Sequence, residues 1–568
     1  MGDFNILGKG AKENTYDAIV IGSGITGGIA AKDLTQAGLK VLVLERGRMV
    51  EHVTDYPTAL TDPWDLPLRN MVSTEEEKDY EIQKTLYLFG QDSKHFLVKD
   101  SDHPYVQEKP FSWYRGYHMG GRSLLWSKHC YRLSDLDFEA NHNEGIGIDW
   151  PIRYKDIASW YDHIESYVGI SGNNDGIPNL PDGKFLPPFE MNSFEKHIRE
   201  RLRKNFPDRD LIIGRMAILT QDHNGRSRCH SRNLCHRGCV YGAPYSSNSG
   251  ALPDAARTGN LTIRPFSIVE SLVYDNKNNK LKGVRIIDTE TKESTEFFAK
   301  LIFLNASTIG STQILLQSKT NEFPNGLANS SGALGHYLMD HHAMIGAMGG
   351  YSGLKNSFYY GQRPASVYVP RFRNVKKNDQ PYLRGFGFEN YTSRSDWSRG
   401  FNEAGIGSDW KENLCKPGDW FAYFEAYGET LPEYKNTVSL SADKKDKWGI
   451  PLPVLSMEYG ENEKKMRKDM QETAVEMLQS AGLDWVNPFD YGMTPGTVIH
   501  EMGTARMGND PKTSVLNKWN QSHDIKNLFV TDGSCMVSSP CQNPSLTYMA
   551  LTARACDYAV KELKKGNI

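Results

Sequence analysis

The chain has 568 residues, 39% of them apolar and 24% charged, with a formal net charge of −3. That balance gives no electrostatic reason to expect a nucleic-acid partner, no apolar run reaches the length of a bilayer, and eight cysteines in such a length do not make a disulfide scaffold. The length allows two or more cores, and Met1 to Asn14 lacks the apolar centre of an export signal.

The first element is a complete unit. Ala18 to Ile21 are an apolar run suited to a buried parallel strand. Gly22, Gly24 and Gly27 follow in the G-x-G-x-x-G spacing, and a helix is predicted over Thr26 to Ala37. Val41 to Leu44 make a second strand, ended by Glu45. This context implies a bound dinucleotide: Gly22 for the tight turn, Gly24 for approach of a pyrophosphate, Gly27 for close helix packing. The helix N-terminus faces the phosphates. A carboxylate at Glu45 suits ribose hydroxyls and repels a 2′-phosphate, which disfavours NADP.

Residues 51–110 are polar and read as an irregular excursion. Residues 111–135 are dense in glycine, aromatic and basic residues. Apolar spacing predicts a helix over Ile152 to Val168, a loop over 170–190 and a short basic helix over Glu195 to Asn205. Strands are expected at Leu261–Arg264, Val269–Tyr274, Lys282–Asp288 and Glu296–Leu304, then a helix from Ser307 to Gln317. Residues 343–460, with Trp420–Tyr427 and Thr437–Leu440, read as a largely antiparallel sheet. A long amphipathic helix covers Asn462 to Ala481. The end runs strand (Asn527–Val530), loop, helix (Ser545–Lys564). Nucleotide-type segments at both ends imply an α/β fold with one discontinuous nucleotide domain and an inserted substrate domain.

Three cysteines, Cys229, Cys235 and Cys239, fall within eleven residues. Such thiols in a glycine-containing loop suit a soft metal centre. The alternatives are zinc with His230 or His236 as a further ligand, or an empty loop. Arg226, Arg228, Arg232 and Arg237 surround them, either offsetting an anionic cluster or forming a solvated face. His341 and His342 follow Asp340; adjacent histidines do not face one another on a regular element, and they carry no assigned role.

Ile499 to Gly508, Asn527 to Ser534 and Asn543 to Ala550 together resemble the closing region of the glucose–methanol–choline (GMC) flavoprotein oxidoreductases. The resemblance extends to 16–50, 114–135, 261–318 and Val438–Ile450, in the family's order. It implies a discontinuous Rossmann-like FAD-binding domain (1–50, 111–135, 225–342 and 490–568) and a substrate domain (51–110, 136–224 and 343–489). It also implies FAD contacts at Gly22, Gly24, Gly27, Glu45, Gly120, Gly121, Ser123, Trp126, Ile268, Asp532, Gly533, Pro544 and Ser545. His500 matches the family's general base, and Asn543 the partner that hydrogen-bonds the substrate oxygen. A neutral imidazole suits removal of a hydroxyl proton near working pH, while the flavin carries the redox chemistry. Residues 119–126 resemble the segment in which pyranose oxidases carry a flavin-linked histidine; Leu125 stands there, so FAD is expected without a covalent bond.

Some GMC sugar dehydrogenases have a fuller cysteine segment, in which Arg232 replaces one thiol here. The three that remain suit a [3Fe–4S] cluster, which would favour a dehydrogenase. Residues 241–262 are similar to the large subunits of bacterial glucoside 3-dehydrogenases and gluconate dehydrogenases. By that similarity the substrate is a sugar or glycoside oxidised at a secondary hydroxyl, at C3, to a 3-keto-glycoside. The partners implied are a small subunit with a twin-arginine export signal and a cytochrome-type acceptor, which would carry the chain to the periplasm. A cytoplasmic enzyme is the alternative. Two rival functions are a GMC oxidase using O2 and a catalytically silent flavoprotein relay subunit. The aromatic residues of 357–427 fit a sugar platform, although aromatics more often form core.

Overall fold

A computed structural model describes residues 4–8, 13–62, 64–358, 363–364, 366–401, 403–492 and 494–568. Six strands run parallel in one sheet: Asn5–Ile6, Leu261–Arg264, Val41–Leu44, Thr15–Ile21, Ser294–Leu304 and, beside the last, Leu528–Val530. Their runs Ala18–Ile21, Val41–Leu44 and Leu301–Leu304 are wholly buried, as expected of parallel strands covered on both faces. Lys280–Asp288 and Ser267–Asp275 extend the sheet antiparallel from Ser294–Leu304. Leu528–Val530 pairs with Ile302–Leu304, so the chain's two ends build one sheet. The helix after Thr15–Ile21 spans Ile25–Gln36 and packs against the C-terminal helix Ser545–Lys564.

A second sheet is antiparallel throughout, in the order Trp485–Asp490, Ile345–Tyr351, Trp420–Gly428, Phe386–Arg394, Val367–Val369, Ile212–Ile213. Its strand Trp420–Gly428 alternates strictly between buried and half-buried positions. Trp420, Ala422, Phe424 and Ala426 pack with Met466, Met470, Ala474 and Met477 of the helix Glu461–Ser480. That methionine and alanine stripe follows helical spacing. Phe421, Tyr423, Glu425 and Tyr427 occupy the other face.

Two expectations need revision. Thr437–Lys445 does not join this sheet; it pairs with Pro451–Ser456, which in turn pairs with Val106–Gln107, in a separate three-stranded sheet. The 343–460 segment also contains an exposed helix, Gly407–Cys415. The described residues of 51–110 form only short helical turns and one two-residue strand; Tyr56, Leu86 and Phe96 pack into the core beneath the parallel sheet. Among the described residues, no helix is long and apolar enough to cross a membrane.

Candidate active site

A cavity of about 620 Å³ opens at the C-terminal ends of the parallel strands and continues to the outer face of the antiparallel sheet. Three helices begin in its wall: Ile25–Gln36 after Gly24, Thr308–Gln317 after Ser307, and Ser545–Lys564 after Pro544. No side chain caps any of these N-termini. Free N–H groups and positive dipole ends thus point at one space, which suits an anionic ligand. Gly22, at φ +95°, turns the chain there; a Cβ would lie 2.4 Å from the carbonyl oxygen of Asn305. A Cβ at Gly24 would meet nothing within 4 Å. The cradle therefore has the shape and charge for a dinucleotide pyrophosphate.

Gly22, Gly24, Glu45, Gly121, Ser123, Trp126, Ile268, Asp532, Gly533, Asn543, Pro544, Ser545 and His500 all line this cavity. Gly27 and Gly120 do not. Gly27 packs behind the turn, where a Cβ would meet the carbonyl of Gly22, and the Gly120 N–H donates to Ser23 Oγ (2.9 Å). These two glycines shape the cradle rather than touch what it holds. Glu45 accepts from Ser23 N (3.2 Å) and Ser23 Oγ on one oxygen and from Gly47 N (2.9 Å) on the other. Burial pushes its carboxyl up from the ordinary value. Asp532 accepts from Ser534 N and Oγ and from Ser311 Oγ.

His500 is held by its neighbours. The Asp340 carboxylate accepts from Gly496 N (2.8 Å), Val498 N (3.3 Å) and His500 N (3.0 Å), a clamp on the loop that carries the imidazole. The clamp offsets strain: Ile499 is β-branched yet sits at φ +67°, a conformation that costs on the order of 1–3 kcal/mol. Glu501 makes two 2.8 Å bonds to Arg122 of the 119–126 loop. That half-buried pair ties the imidazole loop to the cradle. His500 Nδ1 lies 3.0 Å from His341 Nδ1. Burial, with His341 and Arg122 nearby, holds the His500 imidazole well below its usual range, favouring the neutral base. Asn543 Oδ1 is buried without a hydrogen-bond partner among the described residues, which marks a group waiting for a ligand.

The far wall was not foreseen. Glu389 and Glu425 are direct cross-strand partners, and both line the cavity with Tyr391, Tyr423 and Tyr427. Like charges in this position repel. His129 Nδ1 stands 2.8 Å from Glu389, and burial, with Glu389 opposite, pushes the Glu425 carboxyl up to about 7. Of the aromatic residues in 357–427, Phe386, Phe388, Trp420 and Phe424 are core, and Tyr359 and Tyr360 lie outside the described residues.

The iron–sulfur ligand set expected from Cys229, Cys235 and Cys239 is not assembled. Among the described residues no group of three or more His, Cys, Asp or Glu side chains is arranged to hold a metal ion. The loop carries positive φ at Ser231 and Asn233 and a short helical turn, Cys235–Arg237. Cys229 Sγ accepts from Ser231 N (3.3 Å), and burial pushes its thiol up to about 11. The arginines are structural: Arg232 donates to the Ala59 carbonyl, and Arg237 to Asp92 and the Thr61 carbonyl. Cys235 and His236 face a second cavity of about 770 Å³, which shares Tyr87, Trp126, Lys128 and His129 with the first.

A dinucleotide cradle joined to an imidazole held by His341 and an unsatisfied amide oxygen has the make-up of a flavoprotein-type oxidoreductase site. The chain belongs to the GMC oxidoreductase family: its family models match residues 16–343 and 432–552. It is 30% identical to 2-methyl-1,2-propanediol dehydrogenase of Mycolicibacterium austroafricanum, over 95% of this chain and 94% of that one. It is 26% identical to the fructose dehydrogenase large subunit of Gluconobacter japonicus, over 97% and 98%. A solved formate oxidase variant from Aspergillus oryzae shares the fold, with a TM-score of 0.63 at 14% identity, covering 98% of this chain and all of that one.

Proposed function

We propose that the chain is an FAD-dependent dehydrogenase that oxidises a secondary hydroxyl of a sugar or glycoside, at C3, to a 3-keto-glycoside. The observation that carries this reading is the pairing of His500 with the partnerless Asn543 amide in one cavity wall, between the nucleotide cradle and a face of tyrosines and carboxylates. Gly22, Gly24, Glu45, Asp532 and the three helix N-termini would hold the dinucleotide, and Gly121, Ser123, Trp126, Pro544 and Ser545 would border its flavin. Bound FAD supplies the acceptor for the substrate's hydride. His500 takes the hydroxyl proton, Asn543 orients the substrate oxygen, and the Asp340 clamp keeps the imidazole in place. Glu389, Glu425 and the three tyrosines offer hydrogen bonds to several hydroxyl groups, as a sugar requires. Leu125 presents hydrocarbon to the cavity, consistent with FAD held without a covalent bond.

With no cluster geometry, the preference for a dehydrogenase rests on the relatives named as dehydrogenases. The words "large subunit" in one of those names support a smaller subunit as partner; the cytochrome-type acceptor and co-export to the periplasm follow only from the resemblance to the glucoside and gluconate dehydrogenases. Anaerobic titration of the purified flavoprotein with a panel of glycosides tests the reading. Bleaching of the flavin with formation of a keto-sugar is expected. Rapid reoxidation by air with stoichiometric peroxide would instead make it an oxidase, and no bleaching by any sugar would remove the substrate class.

A further inference from the structure

We infer that His341 is a positioning residue that fixes the proton of His500 on Nδ1 and so leaves Nε2 as the atom that accepts the substrate's proton. The inference rests on the reading of His500 as the base. The argument starts at Pro540. Its carbonyl oxygen lies 2.7 Å from His341 Nε2. A carbonyl only accepts, so Nε2 of His341 carries hydrogen. The His341 side chain is wholly buried, and no carboxylate hydrogen-bonds its ring. A second proton on this ring would be a buried, uncompensated charge, and burial holds the ring neutral down to about 4.

The Nδ1 of His341 therefore presents a lone pair. It faces His500 Nδ1 at 3.0 Å, with the rings at 84° and their centroids 4.9 Å apart. Two lone pairs at this separation repel, so the hydrogen between them belongs to His500. A neutral imidazole has only one N–H. His500 Nε2 is then unprotonated, and among the described residues it has no hydrogen-bond partner, while the residue lines the cavity. The order is Pro540 carbonyl, His341 Nε2–H, His341 Nδ1, His500 Nδ1–H, His500 Nε2. When Nε2 takes the hydroxyl proton, the same Nδ1–H becomes a charge-assisted donor to His341, which stabilises the imidazolium. No proton passes to His341.

Two side chains separate this role from simple packing. Asn places Oδ1 where His341 has Nδ1 and keeps an acceptor for His500. Gln reaches towards the Pro540 carbonyl but leaves no acceptor at the Nδ1 position. The test is anaerobic stopped-flow reduction of the flavin-loaded holoenzyme by the glycoside that best reduces the unmodified protein, with flavin content checked for every variant. His341→Asn is expected to reduce within about tenfold of the unmodified rate, and His341→Gln and His341→Leu roughly 10²-fold slower at saturation, in the range of general-base effects. Substrate affinity should change little. Should His341→Leu fail to load flavin, the Asn and Gln pair still decides. Equal rates for Asn and Gln, or a loss confined to substrate affinity, overturn the inference. His500→Ala is the control for the underlying reading. A slow His500→Ala with fast His341→Gln sinks only the tautomer argument, whereas a fast His500→Ala sinks both.

Discussion

The parallel and antiparallel sheets face the same cavity but contribute to it in different ways. The parallel sheet works through its backbone: strands end, helices begin, and uncapped N–H groups with glycines at the turns make the binding surface. The antiparallel sheet works through side chains, because its strands have one core face and one cavity face, and Tyr423, Glu425 and Tyr427 alternate with Ala422, Phe424 and Ala426. A backbone-built site tolerates many side chains but almost no Cβ at its turns. A side-chain wall tolerates substitution in its fold while changing what it binds. Cofactor and substrate recognition should therefore fail separately.

The largest expected effect is on the backbone side. Gly22→Val places a branched side chain at φ +95° against the Asn305 carbonyl, a conformation L-residues resist. The variant should purify without flavin. Gly24→Ala sharpens the point, since its Cβ meets no protein atom within 4 Å. It should fold with unchanged circular dichroism and bind FAD more weakly, by equilibrium titration of apoprotein. Unfolding of Gly24→Ala would show that the cradle is strained rather than shaped for a ligand. Next in size, His500→Ala should keep its flavin and lose about 10³-fold in the rate of flavin reduction. Parallel loss of flavin would mean that the two halves of the site are not separable.

What was legible from the sequence follows the same division. The backbone-built part is local: glycine spacing, apolar runs and a helix start lie within thirty residues, and the helix Ser545–Lys564 occupies the predicted span. The antiparallel strands were legible through alternation. The long-range constellation was not. Asp340 binds a backbone 160 residues away, His341 meets His500 across 159, and Arg122 meets Glu501 across 379. No local pattern encodes such pairs; Asp340, His341 and His342 stood out as a run, but adjacent histidines do not face one another on a regular element. Glu389 and Glu425 became a pair only through strand register. The cysteines went the other way: close in sequence, they form no metal-holding group among the described residues.

Glu425→Gln tests the side-chain wall at smaller amplitude. The carboxyl's ordinary value is 4.5 and its folded value is about 7, so the folded state binds this proton more tightly than the unfolded chain does. Stability is then lost as pH rises from about 4.5 through about 7, by on the order of 3 kcal/mol at most. Glutamine removes that loss. The variant should melt higher than the unmodified holoenzyme at pH 8 and equally at pH 4, while its preference among glycosides shifts. A stabilisation independent of pH would show that Glu425 is not ionising in the wall.

The smallest effect is expected at the cysteines. Burial pushes the unligated Cys229 and Cys235 thiols upward, and among the described residues no metal-holding group is arranged around them. The basic residues that would balance an anionic cluster are spent on Ala59, Thr61 and Asp92. Serine retains an acceptor for the Ser231 N–H that Cys229 now receives. The triple variant Cys229→Ser, Cys235→Ser and Cys239→Ser should match the unmodified protein in flavin content and in the rate of reduction by glycoside. Neither protein should contain stoichiometric iron or acid-labile sulfide. Iron in the unmodified protein that disappears in the triple variant would mean that the loop rearranges around a metal. The outer cavity, where Cys235 lies next to Lys128, would then become the route by which electrons leave.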